Sequence, residues 1–528
     1  MTVLLRQPGD WPANGWNHWV AAMNCAVAGL DPDRWKPDLA EELEQAFDAG
    51  LDDWLKAAVD LGGRADAVLA HMPSMAANIS DYGVTLAWVR LVRQWATGSD
   101  SVLVLCDDPW LFRSLATVPG VRAGAAPNLW RPALKLRLRG LAARVAVSLR
   151  MAKTAWLSRG HGARIPTGRP WLLVYGHPSS QADGQDAYFG ALMKDIPSLM
   201  RGLHVDCPPA RAAALAGQGR SLSLHGFGTP LHALGLWRRT WRPPVEAGDW
   251  LLRRVRDHEA GGGGAAMTAW QIHCQQRWLA RVQPSVIAWP WENHGWERAL
   301  VRAARAAGVA TIGYQHAAVG RREWNYAVRG NSDGRGSLPD RILCVGDVHA
   351  ERLRLLGCPA EMLEVGGALR FADTTMPVHD SSAPLFVALP FDSAIAAEMV
   401  EAVRPLAQAG RRVLVRDHPM SPFPFRPSLN LEHCAVPLPQ VPAVSVVLYC
   451  ITTVGLEAML AGLPTIRFIP TSRPAVDISP EGYAVPCATA KSLAQVLAHP
   501  DAPPPLDRQR VFAPINHQRW RALLAGEP

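Results

Sequence analysis

Short apolar runs alternate with amphipathic stretches along most of this chain. VLVLC, WLLVYG, SVIAWP, TIGYQ, ILCVG, PLFVALP, RVLVR, SVVLYC and PTIRF are rich in β-branched or aromatic residues, and each gives way to a polar or Gly/Pro loop. Several are followed by stretches with an apolar residue every three to four positions, such as WERALVRAARAAGV and VGLEAMLAGL. Strand, loop and helix repeated in that order predict an α/β protein on parallel sheets. Other segments are less regular. Residues 1–65 read as mostly helical, with DLAEELEQAFDAGLDDW the clearest case. ADAVLAHMP and SDSVLVLCDDP read as short strands around the helix-like VTLAWVRLVRQWA. QADGQDAYFGALMKDIPSLM reads as a loop running on into a helix. Arg322–Asp340 is Gly-rich, charged and aperiodic, which predicts an interdomain linker or a mobile loop.

In open parallel sheets, ligands bind beyond the carboxyl ends of strands, so the polar residues there are the first candidates for chemistry. The stretch Arg411–Phe468 is the richest. RRVLVRDHP ends in Arg416, His418 and Pro419, and VSVVLYCITTVGLEAMLAGLPTIRF carries Thr452 and Thr453 between a strand and a helix over Val454–Ala461. Two hydroxyls and the free N–H groups of a helix start would face an anion, with Arg416 and His418 opposite from the neighbouring strand end. The pattern reads as a nucleotide-phosphate site. The Leu389–Ser393 loop would lie against the same phosphate, with Ser393 as a hydroxyl donor. Asp107 and Asp108 follow a buried run and can be a catalytic carboxylate pair or cap a helix starting near Pro109, and the cap is preferred.

Charge adds a second feature. Between Pro109 and Ala182 there is no Asp or Glu but twelve Lys or Arg, out of a net charge of +8 for the 528 residues. Within it, LKLRLRGLAARVAVSLRMAKTAW places Leu134, Leu138, Leu141, Val145, Leu149 and Trp156 on one helical face. Lys135, Arg139, Arg150 and Lys153 flank that face on one side, and Arg137 and Arg144 on the other. Such a helix either packs into a core or lies on an anionic membrane surface, and the second reading is preferred for 134–157. A nucleic-acid partner is not expected, because no recognition fold accompanies the charge. The length suggests two or more domains. Nine Cys without metal-ligand spacing suggest reduced thiols, MTVLLRQPGDWPANGW turns polar too early for a signal peptide, and no long apolar run spans a bilayer. The expectation is a cytoplasmic protein, peripheral at the inner membrane.

The His418-Pro419 pair, the Thr452-Thr453 pair and the EAMLAGLPTI run at Glu457–Ile466 resemble the C-terminal half of bacterial GT-B glycosyltransferases of capsule and lipopolysaccharide biosynthesis. In the sialyl-, polysialyl- and Kdo-transferase-like groups such an HP motif and Ser/Thr pair grip the donor nucleotide, with Thr here for the commoner Ser. The ER…GxxTIGYQH arrangement after Glu292 is a second point of resemblance. The resemblance implies two Rossmann-like domains facing a cleft, with an N-terminal helical extension and a C-terminal crossover helix. The boundaries expected are 1–330 for an acceptor-side domain including basic segment 130–160, 340–505 for a nucleotide-sugar domain, and 506–528 for the returning helix. It implies donor contacts from Arg416, His418, Pro419, Thr452, Thr453, Glu457 and Ser393. It also implies a general base on the first domain, with Asp186 leading and Asp183 as the alternative. Glu292 and His316, at neighbouring strand ends, would line the cleft, and His316 would compete for the base role. Glu297 and Arg298 would support that wall. Asp186, Glu292 and His316 can equally be a cap, a cap and a structural histidine.

The function implied is transfer of a sugar from a nucleotide donor to a surface-glycan or lipid-linked acceptor, with inversion. A CMP-linked nonulosonic acid or Kdo is preferred, since one phosphate suits a compact His/Thr clamp. The sole literal DxD is Asp31-Pro32-Asp33, in a Pro-containing turn, so no metal and no cofactor are expected. The alternatives are a CDP-glycerol-type phosphotransferase, a nucleotide-sugar 2-epimerase of the same fold (which hardly needs a basic amphipathic helix), and a non-catalytic scaffold or carbohydrate-binding partner of a polysaccharide assembly complex.

Overall fold

A computed structural model of the chain describes residues 3–70, 81–158, 165–216, 219–370, 376–419, 421–471, 473–500, 504 and 506–526. Three parallel sheets organise it. The first joins β1 (Val3–Arg6), β2 (His18–Ala21), β3 (Val102–Leu105) and β4 (Val121–Ala123) in the order β2-β3-β1-β4. Residues 1–65 are therefore not mostly helical. Two of their four-residue runs are strands, and helices Leu39–Asp48 and Leu51–Gly62 follow. The strand expected in ADAVLAHMP is instead a 3-10 turn at Ala67–Leu69, with 71–73 outside the described residues. Asp108 caps the helix Pro109–Ala116, accepting from the N–H groups of Trp110 and Leu111.

The second sheet has seven strands in the order β11-β10-β9-β8-β5-β6-β7. They are β5 (Trp171–Val174), β6 (Met200–Leu203), β7 (Ser221–Ser223), β8 (Val286–Pro290), β9 (Ala310–Gln315), β10 (Arg341–Cys344) and β11 (Leu363–Val365). The third domain begins with β12 (Val378–His379). Its main sheet runs β15-β14-β13-β17-β18-β19, from β13 (Leu385–Ala388), β14 (Val413–Arg416), β15 (Leu431–His433), β17 (Val446–Tyr449), β18 (Thr465–Phe468) and β19 (Cys487–Ala488). A short strand, β16 (Ala443–Val444), pairs with β12 beside it. Every strand pair in both large sheets is parallel. The fold class is thus α/β with two Rossmann-like domains.

The domain boundaries differ from expectation in three ways. Residues 1–123 carry a sheet of their own rather than a helical extension. β10 and β11 belong to the second sheet, so the third domain starts after residue 370 and not at 340. The segment 322–340 is no linker. Trp324, Asn325 and Tyr326 are buried in it, and Asn325 donates to the carbonyl of Glu292 at 2.8 Å. The chain crosses between the large domains at Gly366–Leu369. Gly367 has φ +86°, and a Cβ there would overlap the carbonyl of Pro514, so only glycine lets the crossover pass under the C-terminal segment. The terminal helix His517–Ala525 lies against the second domain, with Trp520 donating to the Gly366 carbonyl and ringed by Phe189 and Tyr314.

Candidate functional site

Both large sheets reverse their strand order once, and such a switch point opens a crevice at the carboxyl edge. In the second sheet the chain builds outward from β5 to β7 and then restarts on the other side at β8. In the third it builds from β13 to β15 and restarts at β17. The β8 switch carries Glu292 and the β17 switch carries Thr452.

Glu292 leaves β8 on a turn that Glu297 holds in place. The Glu297 carboxylate accepts from the N–H groups of Glu292 and Asn293 and from the Trp289 indole at 3.1 Å. Asn293 sits at φ +60°, and Arg298 donates to its carbonyl at 3.0 Å. This turn aims the Glu292 carboxylate between two imidazoles, His294 Nε2 at 3.3 Å and His316 Nε2 at 3.8 Å. His316 leaves the adjacent strand β9, is buried, and packs edge-on to Tyr188 at 5.1 Å. Burial pushes its imidazole down to about 4, the Glu292 charge pulling the other way. His316 is therefore a neutral ring at ordinary pH, and its Nδ1 is buried without a hydrogen-bond partner.

On the third domain, Thr452 is the N-cap of helix Thr453–Leu460, yet its side chain makes no capping bond. Its Oγ1 is buried with no partner. A buried hydroxyl left this way costs about 1–3 kcal/mol unless something fills it. The helix is seated close, since a Cβ on Gly455 would overlap the Tyr449 ring. His418 follows β14, with Phe391 edge-on at 5.6 Å. Burial, then the Arg370 guanidinium, holds its imidazole below the usual value. Pro419 and Ser393 are exposed at the same edge. Glu457 lies one turn into the helix, its carboxyl raised by burial and opposed by the charges of Arg370 and Arg508.

Arg370 links the two edges, and no motif marked it. Its guanidinium stands 5.8 Å from the Tyr188 ring, and its charge acts on His177, Tyr188 and His316 of one domain and on His418 and Glu457 of the other. The backbone leading to it is fixed. Leu369 N–H donates to the Tyr314 hydroxyl at 2.9 Å, and that hydroxyl donates to the Gly367 carbonyl at 3.1 Å. A second His-Pro pair, His177-Pro178 after β5, was readable as a strand-end signal and lies 5.9 Å from Tyr188.

Two expected residues are placed elsewhere. Arg416 turns sideways and donates to the carbonyls of Cys434 and Ala435 at 3.2 and 2.7 Å, where it ties the end of β15. Asp186 does not reach the crevice either. One oxygen accepts from Tyr188 and Phe189 N–H, and the other meets Ser180 Oγ at 3.2 Å and Arg201 at 3.3 Å, both charged side chains being fully buried. The expected helix after it begins only at Leu192, because Asp186 and Gly190 close a tight turn by mutual backbone bonds. The nearby Asp183 is exposed and paired with Lys194. Asp186→Ala, leaving Arg201 uncompensated, is expected to lower unfolding free energy by about 3–5 kcal/mol in a urea titration. The fraction that remains folded should keep its nucleotide affinity.

No protein-family model matches the chain, and no curated protein sequence does. Among solved structures it is similar to the UDP-N-acetylglucosamine 2-epimerase of Rickettsia bellii, with 11% identity, 68% of this chain and 94% of that one covered, and a TM-score of 0.39. The Methanocaldococcus jannaschii UDP-GlcNAc 2-epimerase in complex with UDP-GlcNAc and UDP gives 9%, 67%, 99% and 0.40. The lipopolysaccharide outer core galactosyltransferase WaaB gives 10%, 67%, 99% and 0.34. These likenesses are loose, and the architecture rests on the sheet topology itself.

Proposed function

We propose that this protein is a GT-B glycosyltransferase that moves a sugar from a nucleotide donor, preferentially a CMP-linked nonulosonic acid or Kdo. The acceptor is a surface glycan or lipid-linked saccharide at the inner face of the membrane. The observation that carries the reading is the unpartnered, buried Thr452 hydroxyl at a helix start on the sheet switch point, with His418 on the neighbouring strand end. These groups, with Thr453 and Arg370, form a compact clamp for one phosphate, with the helix dipole adding to it. No metal is needed in this scheme.

Chemistry follows from the facing edge. The acceptor hydroxyl gives its proton to the Glu292 carboxylate, whose two imidazole neighbours fix its direction. The acceptor oxygen then forms a bond to the anomeric carbon as the bond from that carbon to the phosphate oxygen breaks. The nucleotide leaves as its phosphate anion, held by Arg370, His418 and the Thr452 hydroxyl, and the anomeric centre inverts.

Calorimetry with CMP, CDP, UDP, GDP and ADP tests the donor side. The expected result is selective CMP binding, weakened about 10- to 100-fold in Thr452→Val, the loss of one hydrogen bond to a charged group. Selective UDP or GDP binding would discard the CMP donor. Failure of all five on folded protein would overturn the transferase in favour of a scaffold.

A further inference from the structure

The helix Trp130–Leu157 carries apolar residues on two faces, one packed inward and one turned to solvent. Its inward face packs Leu136, Val147 and Met151 beside Gly140, Arg144, Ser148 and Thr154, all buried. A Cβ on Gly140 would overlap the Ala260 carbonyl, and Arg144 donates to the carbonyls of Trp237 and Ala260 at 3.1 and 2.7 Å. Arg144 is thus an internal strut and not part of the basic rim expected from the sequence. The outward face bears a second, unburied apolar row. Leu138, Leu149 and Trp156 are 60%, 60% and 61% exposed, and Leu134, Leu141 and Val145 complete the row. Exposed Lys135, Arg137, Arg150 and Lys153 border it, and the helix contains no acidic residue. Leu231, Leu234 and Trp237, beside it on the stretch that Arg144 grips, are exposed as well.

At the N-terminal end the row runs into a cavity of about 400 Å³. Trp110, Trp130 and Trp250 wall it, together with Arg137, Arg253 and Arg256. The one carboxylate there, Asp257, is taken up by Arg256 at 3.1 Å and by the Trp110 indole at 3.3 Å. Arg253 lies over the Trp250 ring at 4.9 Å. Cations among indoles at the edge of an apolar row suit an anionic phosphate head whose acyl chains continue along that row.

We propose that this face docks on an anionic phospholipid membrane, with one lipid phosphate seated in the Trp110/Trp130/Trp250 cavity. The proposal names the surface on which the acceptor of the transfer reading is met. Its test uses no nucleotide and no turnover, so the two can fail separately. The occupant is a bilayer because apolar row and cations share one outward face, where a protein partner would need matching acids.

The full-length protein is sedimented with vesicles of phosphatidylcholine alone or of an equal mixture with phosphatidylglycerol. Binding to the mixed vesicles only is expected. It should be abolished by Leu138→Asp with Leu149→Asp, exposed sites where melting temperature should hold. Arg137→Ala and Arg253→Ala should each lower partitioning about fivefold, the effect of one cation near a charged surface. Soluble glycerol phosphate in millimolar excess should not displace the protein; displacement would show a free-phosphate site and overturn the lipid. Equal binding to both vesicles, or to neither, would also overturn it. So would a concentration-dependent dimer in light scattering that the paired Asp substitutions dissolve, which would make the face a contact between copies.

Discussion

Arg370→Ala is expected to lower the transfer rate about 10²- to 10³-fold while leaving the melting temperature nearly unchanged. The side chain belongs to the crossover between domains, whose backbone is held by the Tyr314 hydroxyl and the Ala513 carbonyl. Removing it should therefore leave the fold in place and take away a cation whose charge reaches both edges. The loss should fall on the chemical step in single-turnover measurements, because charge on the leaving phosphate grows as the glycosidic bond breaks. A second readout separates this from a structural effect. Arg370 depresses the imidazoles of His316 and His418, so its removal should raise the titration midpoints of both rings in NMR. Unmoved midpoints with an unchanged rate would put Arg370 outside the site.

What the sequence revealed and what it concealed follow from the range of the interactions involved. Strand ends bearing Glu292, His316, His418 and Thr452 were legible because each follows an apolar run too short for a helix. Which sheet a strand joins was not. β10 and β11 repeat the same strand–helix–strand pattern as the third domain, and local periodicity carries no information on that choice. β1 and β2 were missed because four-residue runs among Pro, Gly and Trp give too little alternation to read. Asp186 and Arg416 show a different limit. Residue type and position at a strand end were right for chemistry, but the partners that capture them, Arg201 and the carbonyls after β15, are fixed only by tertiary packing. The Trp130–Leu157 helix was legible in period and charge. An apolar stripe says which residues share a face and not whether that face meets the core.

Among the contacts that join the first domain to the other two is a group that no motif suggested. Glu44, on the helix Leu39–Asp48, reaches across to Arg322 of the second domain at 2.8 Å. It also grips Arg467 of β18 with both oxygens, at 2.9 and 2.8 Å. All three side chains are buried. Arg322 has a second carboxylate in Asp48, bonded twice at 2.7 and 2.8 Å, whereas Arg467 is bonded to Glu44. Glu44→Ala thus takes the bonded carboxylate from the buried Arg467 guanidinium, leaving it the charge of Asp477, and cuts its tie to the first domain. Leaving one member of a buried ion pair without its partner costs about 3–5 kcal/mol. The expected result is a loss of that size in urea unfolding, with β18 and its neighbours gaining amide exchange ahead of the first domain. Asp48→Ala should cost less, because Arg322 keeps Glu44 and the Ala475 carbonyl. Adding Arg467→Met to Glu44→Ala should restore part of the loss by removing the stranded charge. If the double variant were no more stable than Glu44→Ala, the cost would lie in packing around Glu44 and not in the ion pair.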